Sequence, residues 1–252
     1  VNTPFNEKCP FIHADGKTLY FASNGWQGFG GYDMYFINVS DTYLQRPTNM
    51  GLPINSEQDN IYMGVCADGR TAYYAQDDIY LFDLYPAARP EPMRHCTGRI
   101  TDGQGHPMAG TVEVRRAGAD RASYSADSRD GSFALMLSMQ QDNVVVARCE
   151  GYMPQVLTIS PADVRRGLDS SRLQLQMPLL ETGRHYAISQ PTDAYVELLL
   201  SHPSMHICIE APRAEEAKAV YDRFVDRKLR RERLSWRGGT DVDTLRITIT
   251  QF

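Results

Sequence analysis

Asp15-Gly16-Lys17-Thr18-Leu19-Tyr20-Phe21-Ala22 returns 53 residues later as Asp68-Gly69-Arg70-Thr71-Ala72-Tyr73-Tyr74-Ala75. Asn2-Thr3 returns as Asn55-Ser56 at the same spacing. Asp33-Met34-Tyr35-Phe36 returns as Asp78-Ile79-Tyr80-Leu81 only 45 residues on, so the second copy lacks eight residues. In the first copy those eight read Asn24-Gly25-Trp26-Gln27-Gly28-Phe29-Gly30-Gly31. An Asp-Gly pair suits a tight turn that needs positive φ, and alternating aromatics beside it suit half-buried strands. Each copy therefore reads as a strand, a turn and then aromatic-rich strands. A period of this size built from short strands is the pattern of β-propeller blades. The glycines at 25–31 are not read as a phosphate cradle, because a cradle opens a helix and Asp33–Phe36 reads as strand. The adjacent Asp77-Asp78 reads as a solvated turn.

The surrounding composition is that of an ordinary folded chain: 252 residues, 42% apolar, 23% charged, with a formal charge of -5. An acidic balance excludes a broad nucleic-acid footprint, which wants a basic surplus. No run approaches the ~18 apolar residues of a membrane-spanning helix. The chain opens at Val1 with no basic-then-apolar leader, and is expected to be processed or a fragment. Residues 1–85 carry ten Asp/Glu against four Lys/Arg, while the remainder is nearly neutral. That asymmetry points to more than one unit. Cys9, Cys66, Cys96, Cys149 and Cys208 form no CxxC pair, so the common zinc and redox spacings are missing. Cys66, Cys149 and Cys208 are read as small buried apolar residues.

The repeat, with Asn2-Thr3-Pro4-Phe5-Asn6-Glu7, Pro10-Phe11-Ile12 and Gly30-Gly31-Tyr32-Asp33, resembles the WD40-like PD40 β-propeller repeat of bacterial envelope proteins. The resemblance covers residues 1–87 and implies two blades of an incomplete propeller. Closure takes about four to eight blades, so the missing ones are expected upstream or from another chain. Trp26, Tyr32 and Tyr35 are the candidate binding aromatics of this part.

Three prolines, Pro86, Pro90 and Pro92, mark a stiff linker, placed at 88–94. Short alternating strands follow at Cys96–Asp102, Thr111–Arg115, Ser132–Leu137 and Val144–Cys149, separated by Asp130-Gly131, Asp142-Asn143 and Gly151-Tyr152. That spacing argues a small β-sandwich. With Gly98-Arg99-Ile100-Thr101-Asp102, Pro107-Met108-Ala109-Gly110 and Glu150-Gly151-Tyr152, residues 95–180 resemble the transthyretin-like, carboxypeptidase regulatory-like domain. The resemblance implies a spacer or interaction module. No histidine begins a His-x-x-Glu pair, so a zinc peptidase site has no candidate. Asp127-Ser128-Arg129-Asp130-Gly131 lacks the later Glu of a calcium loop and reads as a polar hairpin.

Residues 181–252 read as an α/β layer: a helix over 191–202 with Tyr195, Val196, Leu198, Leu199 and Leu200 to bury, a strand at Met205–Ile209, a helix from Ala214 to Leu229, and a strand at Thr244–Ile249. Ala214, Ala217, Tyr221, Phe224 and Lys228 share one face of the second helix, flanked by Val220 and Val225. Its Glu215 and Glu216 begin it and its basic residues end it, matching the helix dipole. With His202-Pro203 before the strand, this order resembles the C-terminal domain of the OmpA family. That resemblance implies a groove for the stem peptide of peptidoglycan, gripped by a Thr-Asp pair and a helix-leading Arg. Here the helix aligns as Glu216-Ala217-Lys218-Ala219-Val220-Tyr221 and the strand runs Glu210-Ala211-Pro212-Arg213 directly into it. Arg213 and Glu216 thus mark a degenerate peptidoglycan site, where Glu216 would repel an anion.

Six basic residues between Arg227 and Arg237 face only Glu232. Arg230, Arg231, Arg233 and Trp236 are the candidate anion-binding patch, against the plainer reading of a solvated helix end. His202, His206 and Cys208 are set aside as metal ligands because Pro203 breaks any helix that would pair the histidines. Neither Gly-x-Ser-x-Gly nor His-Glu-x-x-His occurs, and no catalytic residue or cofactor is expected. The fold class is multidomain and mostly β: a partial propeller, a transthyretin-like sandwich and an OmpA-like α/β sandwich. In that order the units resemble outer-membrane-associated OmpA-family envelope lipoproteins of the Bacteroidota, of the PorE kind tied to type IX secretion. The resemblance implies a periplasmic scaffold whose partners are envelope proteins, with weak or absent peptidoglycan binding. The alternative is a glycan- or peptidoglycan-binding module.

Overall fold

The computed structural model describes residues 1–39, 46–116, 124–168, 170–190, 192–239 and 241–252. It is mostly β and built of several sheets. Two compact units divide the chain: Val1–Cys96 with Met136–Gln141 and Pro161–Gly167, and Thr97–Leu135 with Asp142–Ser160 and Leu168–Phe252.

The first unit opens with β1 (Glu7–Ile12), β2 (Thr18–Ser23), β3 (Asp33–Asn38) and β4 (Thr48–Asn49), an antiparallel sheet in chain order. The second repeat gives β5 (Tyr62–Val65), β6 (Thr71–Ala75) and β7 (Ile79–Asp83), again antiparallel in chain order. Both Asp-Gly turns form, with Gly16 and Gly69 each at φ 68°. In each the Asp carboxylate accepts the amides two and three residues on, at 2.8–2.9 Å, which is why Asp leads the turn.

Register sorts the aromatics. Tyr20 stands opposite Phe11 and Phe36, and Ala22 opposite Met34, so these share one face of the first sheet. That face packs into a core with Met63, Val65, Ala72, Tyr74 and Phe82 from one face of the second sheet. The first sheet's other face carries Leu19, Phe21, Tyr35 and Ile37, and Trp26 packs on it. The eight residues peculiar to the first copy supply that cover, since the Tyr35 hydroxyl also donates to the Gln27 carbonyl at 3.0 Å.

The proline-rich stretch is packed rather than extended as a free linker. Pro86–Ala88 forms a 3-10 turn, the Ala88 carbonyl accepts the Tyr20 hydroxyl at 2.6 Å, and the Glu91 amide donates to Asp15 at 3.1 Å. Its prolines stiffen a segment whose backbone is held by the turn of the first repeat. Beyond it run β8 (Met93–Thr101), β9 (Gly110–Arg116), β10 (Tyr124–Ser128), β11 (Ser132–Ser138), β12 (Asn143–Arg148), β13 (Gln155–Ile159), α1 (Pro161–Arg166) and β14 (Gln174–Gln176). One sheet has the order β10-β9-β12-β13 and another β11-β8-β14. The polar segment 127–131 is not the expected hairpin: it carries the chain from β10 in one sheet to β11 in the other, Gly131 taking φ 81°.

The C-terminal part holds β15 (His185–Ala187), α2 (Asp193–Ser201), β16 (His206–Ala211), α3 (Ala214–Asp226), β17 (Leu234–Gly238) and β18 (Arg246–Gln251). The sheet order is β15-β18-β16-β17, parallel only between β16 and β17, which α3 connects. Tyr195, Val196 and Leu199 of α2 are buried with Ala217, Val220 and Phe224 of α3 in a core that also takes Val144, Val146, Met153 and Val156. Three expectations are corrected. Leu200 is 53% exposed, because the buried stripe of α2 runs through 195, 196 and 199. Ala214 is exposed because the face packed on the sheet begins at Ala217. Lys228 lies outside α3 at φ 66°, a left-handed residue where the chain leaves the helix. Pro191 lies outside the described residues. Among those described, no helix is long and apolar enough to cross a membrane.

Candidate functional site

The aromatic candidates of the first unit are committed to packing. Tyr35 is 1% exposed and stacked on Phe21 with centroids 6.0 Å apart, so it is not a binding platform. Its alternation with Ile37 put it on the face that Trp26 covers. Trp26 is half-buried there. Tyr32 is half-buried with the Lys8 ammonium 4.1 Å from its ring centroid, a cation–π contact.

The basic segment after α3 separates into anchored and free side chains. Arg233 reaches back to the end of α2, donating to the carbonyls of Leu199 and His202 at 2.7 Å each and Met205 at 2.9 Å. Those carbonyls lie where a helix end lacks partners of its own, and the guanidinium fork supplies them. Arg233 is therefore a structural anchor and not part of an anion patch. Arg227 pairs with Asp193 at 2.8 Å, and Arg237 is held by Glu210. Arg230 and Arg231 are exposed, with no ion pair among the described residues. Trp236 is 38% exposed on β17, an edge strand of its sheet.

At the other candidate site β16 ends at Ala211, and Pro212-Arg213 leads straight into α3. Arg213 and Glu216 approach to 3.9 Å at the surface. The carboxylate stands in the first turn of α3, where the positive end of the helix dipole favours it.

A buried acid that the sequence reading did not single out organises the sheet face away from the helices. Glu210 is 2% exposed near the C-terminal end of β16, an inner strand of its sheet. Arg237 on β17 and Arg246 on β18 stand opposite it in register. Arg246 donates at 2.8 Å, the Thr248 hydroxyl donates at 2.6 Å, and Arg237 also pairs with the carboxylate. The Thr248 proton goes to Glu210, so the Thr248 oxygen must accept from Nδ1 of His185. Burial raises the Glu210 carboxyl, but hydrogen bonds from Thr248, Arg246 and Arg237 outweigh it and lower it to about 2. A carboxylate held that low stays ionised at neutral pH, which suits an ion-pair hub and not a proton donor. The clue in the sequence is one Glu in the apolar strand Ile207-Cys208-Ile209-Glu210-Ala211, facing alternating Arg246 and Thr248.

A second feature is a cleft of about 850 Å³ between the β9–β12 region and α2, lined by Gly110, Ser128, Cys149, Tyr152, Leu198 and His202. Its charged wall is balanced: Arg115 lies 2.9 Å from Glu113 and 3.1 Å from Glu197, and Arg148 pairs with the same two acids. The quartet is balanced within itself, and Glu150 also lines the cleft. Among the described residues no group of three or more His, Cys, Asp or Glu could hold a metal ion. No protein-family model, no characterised protein and no solved structure matches the chain.

Proposed function

We propose that the chain is a non-enzymatic scaffold or adaptor that holds protein partners in the periplasm at the outer membrane. The reading takes the two stacked antiparallel sheets as PD40-like propeller blades. It takes the sheets over 95–180 as a carboxypeptidase regulatory-like sandwich, and the four-stranded sheet with α2 and α3 as an OmpA-like unit. Its partners are envelope proteins, with components of a secretion machine first among them.

One observation carries the binding role. Trp236 stands half-open on an edge strand, and Arg230 and Arg231, a few residues before it, are exposed with no ion pair among the described residues. An aromatic anchor beside unpaired arginines is the composition that dominates protein interfaces. An edge strand also offers backbone groups to a partner segment. The surface suits an acidic, extended partner, whereas the peptidoglycan groove implied by the resemblance carries Glu216 where a cation is wanted. A pull-down with the full chain from envelope extract tests the reading. Recovery of no envelope protein counts against it.

A further inference from the structure

Glu150-Gly151-Tyr152, which the partner surface at Trp236 does not use, lines the cleft of about 850 Å³ inside the second unit. The turn is held by backbone on both sides. The Tyr152 amide donates to the Cys149 carbonyl at 3.2 Å, and Gly151 at φ 79° takes the left-handed corner. The Leu180 amide donates to the Gly151 carbonyl at 3.0 Å, and the Met153 amide to the Pro178 carbonyl at 2.8 Å. Tyr152 also lines a second cleft of the same unit, about 470 Å³ in volume, with Asp102, Glu181 and Arg184.

The large cleft joins an apolar wall to an uncommitted negative charge. Ala109, Pro154, Ala194 and Leu198 supply the wall. Arg148 and Glu197 are spent on one another and on Glu113 and Arg115. The Ser201 hydroxyl gives its proton to the Leu198 carbonyl at 2.8 Å. Nδ1 of His202 lies 3.0 Å from the same carbonyl, so Nδ1 carries the proton and Nε2 of the neutral ring is an acceptor. Glu150 is exposed, with no ion pair or hydrogen bond among the described residues. In the second cleft Arg184 pairs with Glu181 at 3.1 Å. Asp102 there is bonded by His106 and two backbone amides rather than by a fixed cation.

We propose that the large cleft binds a small apolar amine, its ammonium drawn to Glu150 and the Tyr152 ring and its body lying along Ala194 and Leu198. The volume is that of a small-molecule site, ~300–1,000 Å³. An aromatic face and a carboxylate two residues apart both attract a cation, and an apolar wall that excludes water strengthens the attraction. An anionic ligand would meet Glu150 with every cation of the lining already paired. The turn is fixed before the ligand arrives, so little ordering is added on binding.

Three probes with one apolar body test this on the full chain: 2-(1-naphthyl)ethylamine, 2-(1-naphthyl)ethanol and 1-naphthylacetate, titrated at neutral pH and followed by amide chemical shifts. The amine is expected to bind at least about tenfold more tightly than the acetate, with the alcohol between them. Its shifts should centre on 149–152 and 198–202. Glu150→Gln, with circular dichroism unchanged because the side chain is exposed, should weaken the amine about five- to tenfold and leave the alcohol unaltered. Tyr152→Phe keeps the aromatic face and should keep the binding, whereas Tyr152→Leu should not. Equal affinity for the three probes would mean apolar partition alone and overturns the proposal. So does shift of residues elsewhere, or no binding of the amine up to about 10 mM. None of these outcomes bears on capture of envelope proteins, so this site and the partner surface stand or fall separately.

Discussion

Glu210 and Arg246 face each other across β16 and β18, with the guanidinium Nε donating to Oε2 at 2.8 Å in the middle of a sheet. The acid is buried, yet its carboxyl is held at about 2 by that donor, Thr248 and Arg237. Because the folded value lies below the ordinary one, the stabilisation is complete above the usual carboxylate range. It is lost as pH falls through that range toward 2.

The acid unfolding of the second unit should report this. The difference between about 4.5 and about 2 corresponds to roughly 3 kcal/mol at neutral pH. Glu210→Gln is expected to lower stability at pH 7 by that order and to flatten the pH dependence between those values. Denaturant titrations at a series of pH values measure both. A variant with wild-type stability at pH 7 would remove Glu210 as the hub.

Arg233→Ala is expected to loosen the end of α2. Three backbone carbonyls lose their donor, and with charged donors each such bond contributes about 1.5–3 kcal/mol before losses overlap. Arg233→Lys should recover little, since an ammonium cannot span Leu199, His202 and Met205 together. Thermal melts and amide exchange at 199–205 check the pair.

Two glycines with the same backbone separate strain from contact. Gly51 at φ 67° has open space where a Cβ would stand, whereas at Gly69, φ 68°, it would lie 2.7 Å from the Pro90 carbonyl oxygen. Gly51→Ala should cost about 1–2 kcal/mol, the usual left-handed penalty. Gly69→Ala should cost more, and it should disturb the proline-rich segment packed on that turn. Trp26 fluorescence in a Trp236→Phe background follows the unit that holds both.

Sedimentation with purified peptidoglycan is expected to leave the chain in the supernatant. Glu216 in the first turn of α3 faces whatever approaches there, with Arg213 its nearest counter-charge at 3.9 Å. Pelleting that Glu216→Arg does not alter would place wall binding elsewhere on the molecule.

What was legible in the sequence follows the range of each interaction. The Asp-Gly turns and the strands beside them are local, set by positive φ and an Asp side chain reaching two residues on, and they form where the repeat puts them. Alternation placed Tyr35 on a sheet face but not beneath Trp26, because which face is covered depends on the folded course of the eight extra residues. A run of arginines looks uniform until the end of α2 captures Arg233 and Glu210 captures Arg237. β17 was hidden in that run: Leu234-Ser235-Trp236-Arg237-Gly238 is too short to declare itself before it pairs with β16. β15 was missed because it is only three residues long and takes its identity from β18, distant in sequence, whereas β13 pairs with the preceding β12 and no turn signal follows it.

The partner-binding role rests on Trp236, Arg230 and Arg231, and comparative capture tests it most directly. Full-length wild type and a Trp236→Ala, Arg230→Glu, Arg231→Glu variant are each immobilised and exposed to the same envelope extract, and bound proteins are quantified by mass spectrometry. Wild type is expected to retain a defined set of envelope proteins and the variant to lose most of that set, with both chains giving the same melting curve. Equal retention by the two chains would contradict the account.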